Sequence, residues 1–137
     1  MTVLVLDSAA FSELARASSV AKRTVRAALR AAVEVGADVV VPAAVLAEQY
    51  RGGAHDQVVD SYLGRETGIA VADTNRQLAR QVGNLLARAG RGSQDHVDAT
   101  VVAVAVSRGG GVILTGDPRD LAALVDGLIG INVEPMQ

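Results

Sequence analysis

Asp7, Glu48, Asp98 and Asp117 are the residues of this chain whose type and spacing could do chemistry together. Each falls at a point where an alternating strand and helix pattern would bring it to one edge of a sheet. Four carboxylates in one crevice repel, and one or more stays protonated unless a cation compensates them. Such a cluster calls for a divalent ion. The chain has no cysteine, so a metal here is held by oxygen or histidine rather than thiolate. All-oxygen ligation selects a hard cation, Mg²⁺ or Mn²⁺, which keeps several waters and leaves positions for a phosphate oxygen and an attacking water. That is the apparatus of metal-assisted phosphodiester hydrolysis.

Each acid also has a structural reading. Asp7 ends an apolar run and could cap the helix that follows. Asp117 stands before Pro118, a good cap followed by a good first helical residue. Glu48 fits a solvated helix position. Asp98 lies three residues after Asp95, which could cap a helix while Asp98 favours the positive end of its dipole. His55 and His96 are isolated in sequence and read as surface or local hydrogen-bonding groups.

The elements that would position these residues alternate between short apolar runs and helical stretches, which predicts an α/β fold with a mainly parallel central sheet of four to five strands between helical layers, an α/β/α sandwich. Val3 to Leu6 is a continuous run suited to a strand buried on both faces, ending on Asp7. Ser18 or Ser19 caps a helix through about residue 35, with Gly36 as the stop. Val39 to Val41 is the second strand, and Pro42 opens a helix over about 44–50 that carries Glu48. Ile69 to Val71 is a third strand, followed by Asp73 or Thr74 as cap and a helix closed by Gly90. The segment 97–106 alternates valine with alanine and fits strand or helix; its length, Asp95 and Gly109 to Gly111 favour helix. Val112 to Leu114 and Ile131 to Val133 complete the strands. The stretch from Gly52 to Gly64 has no clear element, and Asp56 and Asp60 within it are expected to be solvent-exposed. In an open parallel sheet, reactive residues gather outside the carboxyl ends of the strands, where Asp7 and Asp117 fall and Glu48 and Asp98 can converge.

Composition narrows the classes. The length of 137 residues suits one domain, residues 1–137. No apolar run is long enough to span a bilayer, and the N-terminal run lacks the basic leader and small-residue cleavage site of a signal peptide, so a cytoplasmic protein without membrane contact is expected. The formal net charge of −2 argues against a broad basic surface for nucleic acid. Lys22 is the only lysine among 13 basic residues; arginine suits phosphate contacts, and a GC-rich genome produces the same bias. One phenylalanine, two tyrosines and no tryptophan exclude a base-stacking platform. A dehalogenase-type phosphatase needs a second aspartate two residues after the first, a receiver domain needs a late lysine, and a phosphate-binding loop needs Gly-Lys-Ser/Thr. None is present.

The combination VLVLDSAAF, VPAAVLAEQYRG, DHVDATVVAVAV and VILTGDPRDL, covering nearly the whole chain, resembles the PIN-domain family, and within it the VapC-type toxins of bacterial toxin-antitoxin pairs. The resemblance implies a Mg²⁺- or Mn²⁺-dependent endoribonuclease whose four acids are Asp7, Glu48, Asp98 and Asp117. It further implies a homodimer or a hetero-oligomer with a cognate VapB-like antitoxin that holds it inactive. Thr115 corresponds to a hydroxyl that supports the metal cluster. Asp95 is an extra acid beside Asp98, read first as a cap and second as a ligand of a further ion. Gly116 replaces a common serine or alanine, which would leave that loop freer. Arg51 and Arg119, close in sequence to acids, are candidates for RNA phosphate contacts or for ion pairs with the cluster. In the mechanism expected, Asp7, Asp98 and Asp117, with Glu48 directly or through water, hold one or two ions, and cleavage leaves a 5′-phosphate and a 3′-hydroxyl. The apolar surplus suggests that a helix face containing Val25 and Leu29 is covered by a partner. The alternative is a catalytically weak PIN-like module that binds RNA or protein.

Overall fold

The first strand, β1 (Val3–Leu6), is buried at all four positions. Successive strand residues face opposite sides, so both faces of the sheet are covered. Fully burying each such valine or leucine stabilises the fold by about 1.5–3 kcal/mol. The computed structural model describes residues 2–16, 18–64 and 67–136. Within them follow α1 (Ser8–Glu13), α2 (Val20–Glu34), β2 (Asp38–Pro42), α3 (Ala43–Gln49), α4 (Gly53–Ser61), β3 (Ile69–Ala72), α5 (Arg76–Ala89), a 3₁₀ turn (Ser93–Asp95), α6 (His96–Ser107), β4 (Gly111–Thr115), α7 (Pro118–Val125) and β5 (Ile131–Pro135).

The five strands pair in the order β3-β2-β1-β4-β5, every pair parallel. The chain builds one half of the sheet outward from β1 through β2 and β3 and the other through β4 and β5. The boundary between β1 and β4 is therefore the switch point, where an open sheet leaves a crevice. In the register Leu6 faces Leu114, so Asp7 and Thr115 leave the sheet side by side. Close pairing there needs a glycine at the opposite end, because a Cβ on Gly111 would lie 2.1 Å from the Val3 carbonyl oxygen.

Helices α1 and α2 pack on each other; α5, α6 and α7 pack together, and α6 lies against β1, β2 and β4. The segment that fits strand or helix by sequence is helix α6. Seven successive residues, Ala99 to Ala105, are buried, which accounts for the missing polar face: a helix covered all round shows no amphipathic period. Its one buried hydroxyl is satisfied, Thr100 Oγ1 donating to His96 O at 2.8 Å.

Several expectations are corrected. Asn75, not Asp73 or Thr74, caps α5, its Oδ1 accepting from Leu78 N at 2.8 Å. Asp95 makes no side-chain cap to α6, because the 3₁₀ turn has already set the helix entry. Val25 is wholly buried in this chain's own core and Leu29 packs partly against it, so that pair is not a face left for a partner. The stretch 52–64 contains α4, which has no capping side chain and buries only Val59, leaving little pattern to read. Among the described residues no helix is long and apolar enough to cross a membrane.

Candidate acidic site

Asp7 leaves β1 and caps α1, Oδ1 accepting from Ala10 N at 2.8 Å. Its other oxygen accepts from Gly116 N at 3.3 Å, in the loop after β4. The capping reading and the site reading are thus both available to one carboxylate. Gly116 is exposed, yet a Cβ there would stand 2.7 Å from Ala9 Cβ. The glycine does not loosen this loop; it lets the loop approach α1 closely enough to reach Asp7.

Asp117 caps α7, with Oδ1 accepting from Arg119 N at 3.0 Å and Pro118 at the first helical position. Thr115 is buried, and its Oγ1 accepts from Asp117 N at 3.1 Å. Its support for the acid therefore passes through the backbone. Glu48 sits exposed in the last turn of α3.

Asp98, in the first turn of α6, is half-buried. Its carboxyl is pushed up from 3.8 to about 6, first by burial and then by the charges of Asp120, Asp7, Asp95 and Glu48. Five acids from four helix ends thus share one field at the crevice. Asp117, exposed and capping α7, is not among those acting on Asp98. Asp120, three residues further on, is. Sequence reasoning passed over Asp120; its signal was the i,i+3 spacing from Asp117 in a first helical turn, the relation already noted between Asp95 and Asp98. Asp95 pairs with Arg91 at 3.9 Å, a partly exposed contact of little energetic weight.

The donor set suits a hard divalent cation by its chemistry, since it is carboxylate oxygen throughout. As the side chains stand, however, no three acidic or histidine groups among the described residues converge closely enough to hold an ion. The two observations concern different ranges: charges act through several ångströms of poorly solvated protein, whereas coordination of Mg²⁺ needs oxygens at about 2.1 Å. With Asp7 and Asp117 turned to caps, the acids feel one another without closing.

The basic candidates stand beside the acids without pairing to them. Arg51 is exposed, its Nη1 donating to Ala47 O at 3.1 Å and Tyr50 O at 2.5 Å. Arg119 is exposed and makes no side-chain hydrogen bond or ion pair among the described residues. Asp56 and Asp60 have local roles. Asp56 Oδ1 accepts from Arg51 N and Gly52 N at 2.8 and 2.9 Å, and Asp60 accepts from the Tyr50 hydroxyl. His55 Nε2 lies 2.7 Å from Gln49 O, a local bond as expected.

A family model described as the PIN domain matches residues 4–126. No curated protein sequence matches significantly. Among solved structures, the chain is similar to VapBC2 from Rickettsia felis, determined bound to a DNA fragment from its promoter, with a TM-score of 0.63 at 13% identity, covering 98% of each chain. It is also similar to Mycobacterium tuberculosis VapC20, a toxin that cleaves the sarcin-ricin loop, with a TM-score of 0.57 at 18% identity, covering 94% of this chain and 98% of that one. At such identities the likeness is one of fold.

Proposed function

This chain belongs to the PIN domain family, and from that premise we propose that it is a divalent-metal-dependent endoribonuclease, the toxin of a toxin-antitoxin pair. The observation that carries the reading is the gathering of acidic charge on half-buried Asp98 at the switch point of the sheet. An uncompensated cluster of this kind destabilises its own fold, and a divalent cation is the partner that offsets it.

Asp7, Asp98 and Asp117, with Glu48 directly or through water, would hold one or two Mg²⁺ or Mn²⁺ ions; Asp95 and Asp120 add charge to the same crevice. When bound, the metal polarises the phosphate and lowers the pKa of a water, and hydrolysis leaves a 5′-phosphate and a 3′-hydroxyl. The chain's own groups do the rest. Without metal, Asp98 holds a proton in mildly acid solution, so an ion must displace that proton and metal binding weakens as pH drops through about 6. Arg119, free of protein partners among the described residues, and Arg51 receive the RNA backbone phosphates. The similarity to VapBC2 supports a VapB-like antitoxin as partner; a homodimer or toxin-antitoxin hetero-oligomer, and a cytoplasmic single domain over residues 1–137, belong to the same proposal.

One observation favours a second reading, an RNA- or protein-binding module with weak catalysis: the acids do not converge as they stand. One experiment separates the two. Purified protein is incubated with total cellular RNA and Mg²⁺ or Mn²⁺, against EDTA and against Asp7→Asn. Discrete fragments that need metal and vanish in the variant support the nuclease. RNA retained without cleavage, equally with and without EDTA, supports the module.

A further inference from the structure

Glu48 occupies the last turn of a seven-residue helix, where the final carbonyls lack helical partners and the end frays unless side chains hold it. Three side chains do so in α3. Arg51 Nη1 donates to Ala47 O, His55 Nε2 faces Gln49 O, and Gln49 Nε2 reaches across to α1. The first two are local, six residues or fewer along the chain. The third spans 41 residues and is double: Gln49 Nε2 donates to Ser8 O at 3.1 Å and to Ser8 Oγ at 2.7 Å.

Ser8 directly follows Asp7, and Gln49 directly follows Glu48. One amide therefore ties together the residues next to two acids that come from different strands' ends. We propose that Gln49 is a positioning residue, holding the Glu48-bearing end of α3 against the first turn of α1 and so setting Glu48 relative to Asp7. The inference rests on the metal-dependent reading above. An exposed glutamate at a free helix end samples many positions, and ordering it costs entropy at the moment an ion binds. The clamp meets that cost during folding. Ser8 and Gln49 are both only partly buried, so the bond has modest weight in overall stability. The position of Glu48 depends on it more than the core does.

The test uses the full chain with Mn²⁺ alone as the probe. Gln49→Leu removes both donors at similar volume; Ser8→Ala removes one acceptor and leaves the backbone carbonyl. Binding of Mn²⁺ is measured by calorimetry, melting temperature in EDTA by scanning calorimetry, and kcat and KM on an RNA that the wild type cleaves. Gln49→Leu is expected to weaken Mn²⁺ binding about tenfold, in the range of losing an outer partner of a metal ligand, and to lower kcat with KM little changed. Its melting temperature stays near that of the wild type. Ser8→Ala loses less, and the double variant is no worse than Gln49→Leu alone, because both remove one interaction. Wild-type affinity in Gln49→Leu, or losses that add in the double variant, overturns the clamp while leaving the metal site standing. A wild type that binds no Mn²⁺ overturns the metal-site reading itself, and the clamp's role falls with it.

Discussion

Replacing Asp98 by asparagine should make the metal-free protein more stable while abolishing its chemistry. The carboxyl rises from 3.8 to about 6 because burial and four neighbouring acids disfavour its charge. Below 3.8 both folded and unfolded chains hold the proton, and the group contributes nothing. Between 3.8 and about 6 the fold keeps a proton that the unfolded chain releases, so stability falls as pH rises; above about 6 both are ionised and the whole penalty stands. Unscreened, that rise corresponds to about 3 kcal/mol. The side chain is only half-buried, and solvent screening reduces the figure to about 1 kcal/mol, or roughly 3–6 °C in a chain of this size. Scanning calorimetry in EDTA should show Asp98→Asn melting above the wild type at about pH 7.5, with the gap narrowing below about pH 6 and closing only below 3.8, where folded and unfolded chains both hold the proton. Mg²⁺ at about 100 times its Kd then raises the wild type by about 2.7 kcal/mol and leaves the variant unmoved, reversing their order. A variant no more stable than wild type at neutral pH, or a gain that does not narrow as pH falls, would refute the argument that the acids strain the fold.

Asp7→Asn keeps an oxygen for the Ala10 N–H and loses only the long, exposed acceptor to Gly116 N, so it should cost no more than about 1 kcal/mol, while cleavage falls at least about a hundredfold, the upper end of the cost of losing even an outer partner; a large fall in melting temperature would reassign Asp7 to structure. Asp117→Ala should lose about 1 kcal/mol of stability with the α7 cap, whereas Asp120→Ala, which removes no cap, should not, so denaturant titration of the two separates capping from charge. Gly116→Ser brings a Cβ against Ala9 and should destabilise by about 1–3 kcal/mol, with Ala9→Gly restoring part of the loss; additive effects in the pair would show that the contact is not the cause. Arg119→Ala should leave stability unchanged and reduce the salt dependence of RNA binding by about one phosphate contact, read from affinities at several salt concentrations; an unaltered slope would place Arg119 outside the RNA path.

Much of this protein is decided locally, and that part is legible in its residues. Val3 to Leu6, Val39 to Val41 and Val112 to Leu114 are strands because unbroken apolar runs rich in β-branched residues can be buried on both faces. Asp7 and Asp117 stand at strand ends and cap helices because of the residues on either side of them. The parallel order of strands and helices then carries both acids to one edge, as expected. Other features had no local signature. In α6 the residues 99–105 are apolar but for Thr100 and buried all round, so helix or strand depends on what surrounds them, which is the sheet on one side and α5 and α7 on the other. The participation of Asp120 in the field at Asp98, the need for glycine at 116 beside Ala9, and the bond from Gln49 to Ser8 each join residues distant along the chain. Residue types and their periodicity determine which elements form and which acids reach the edge. Which carboxylates act on one another is set by distances between separate elements, and only the packing of the whole chain decides those.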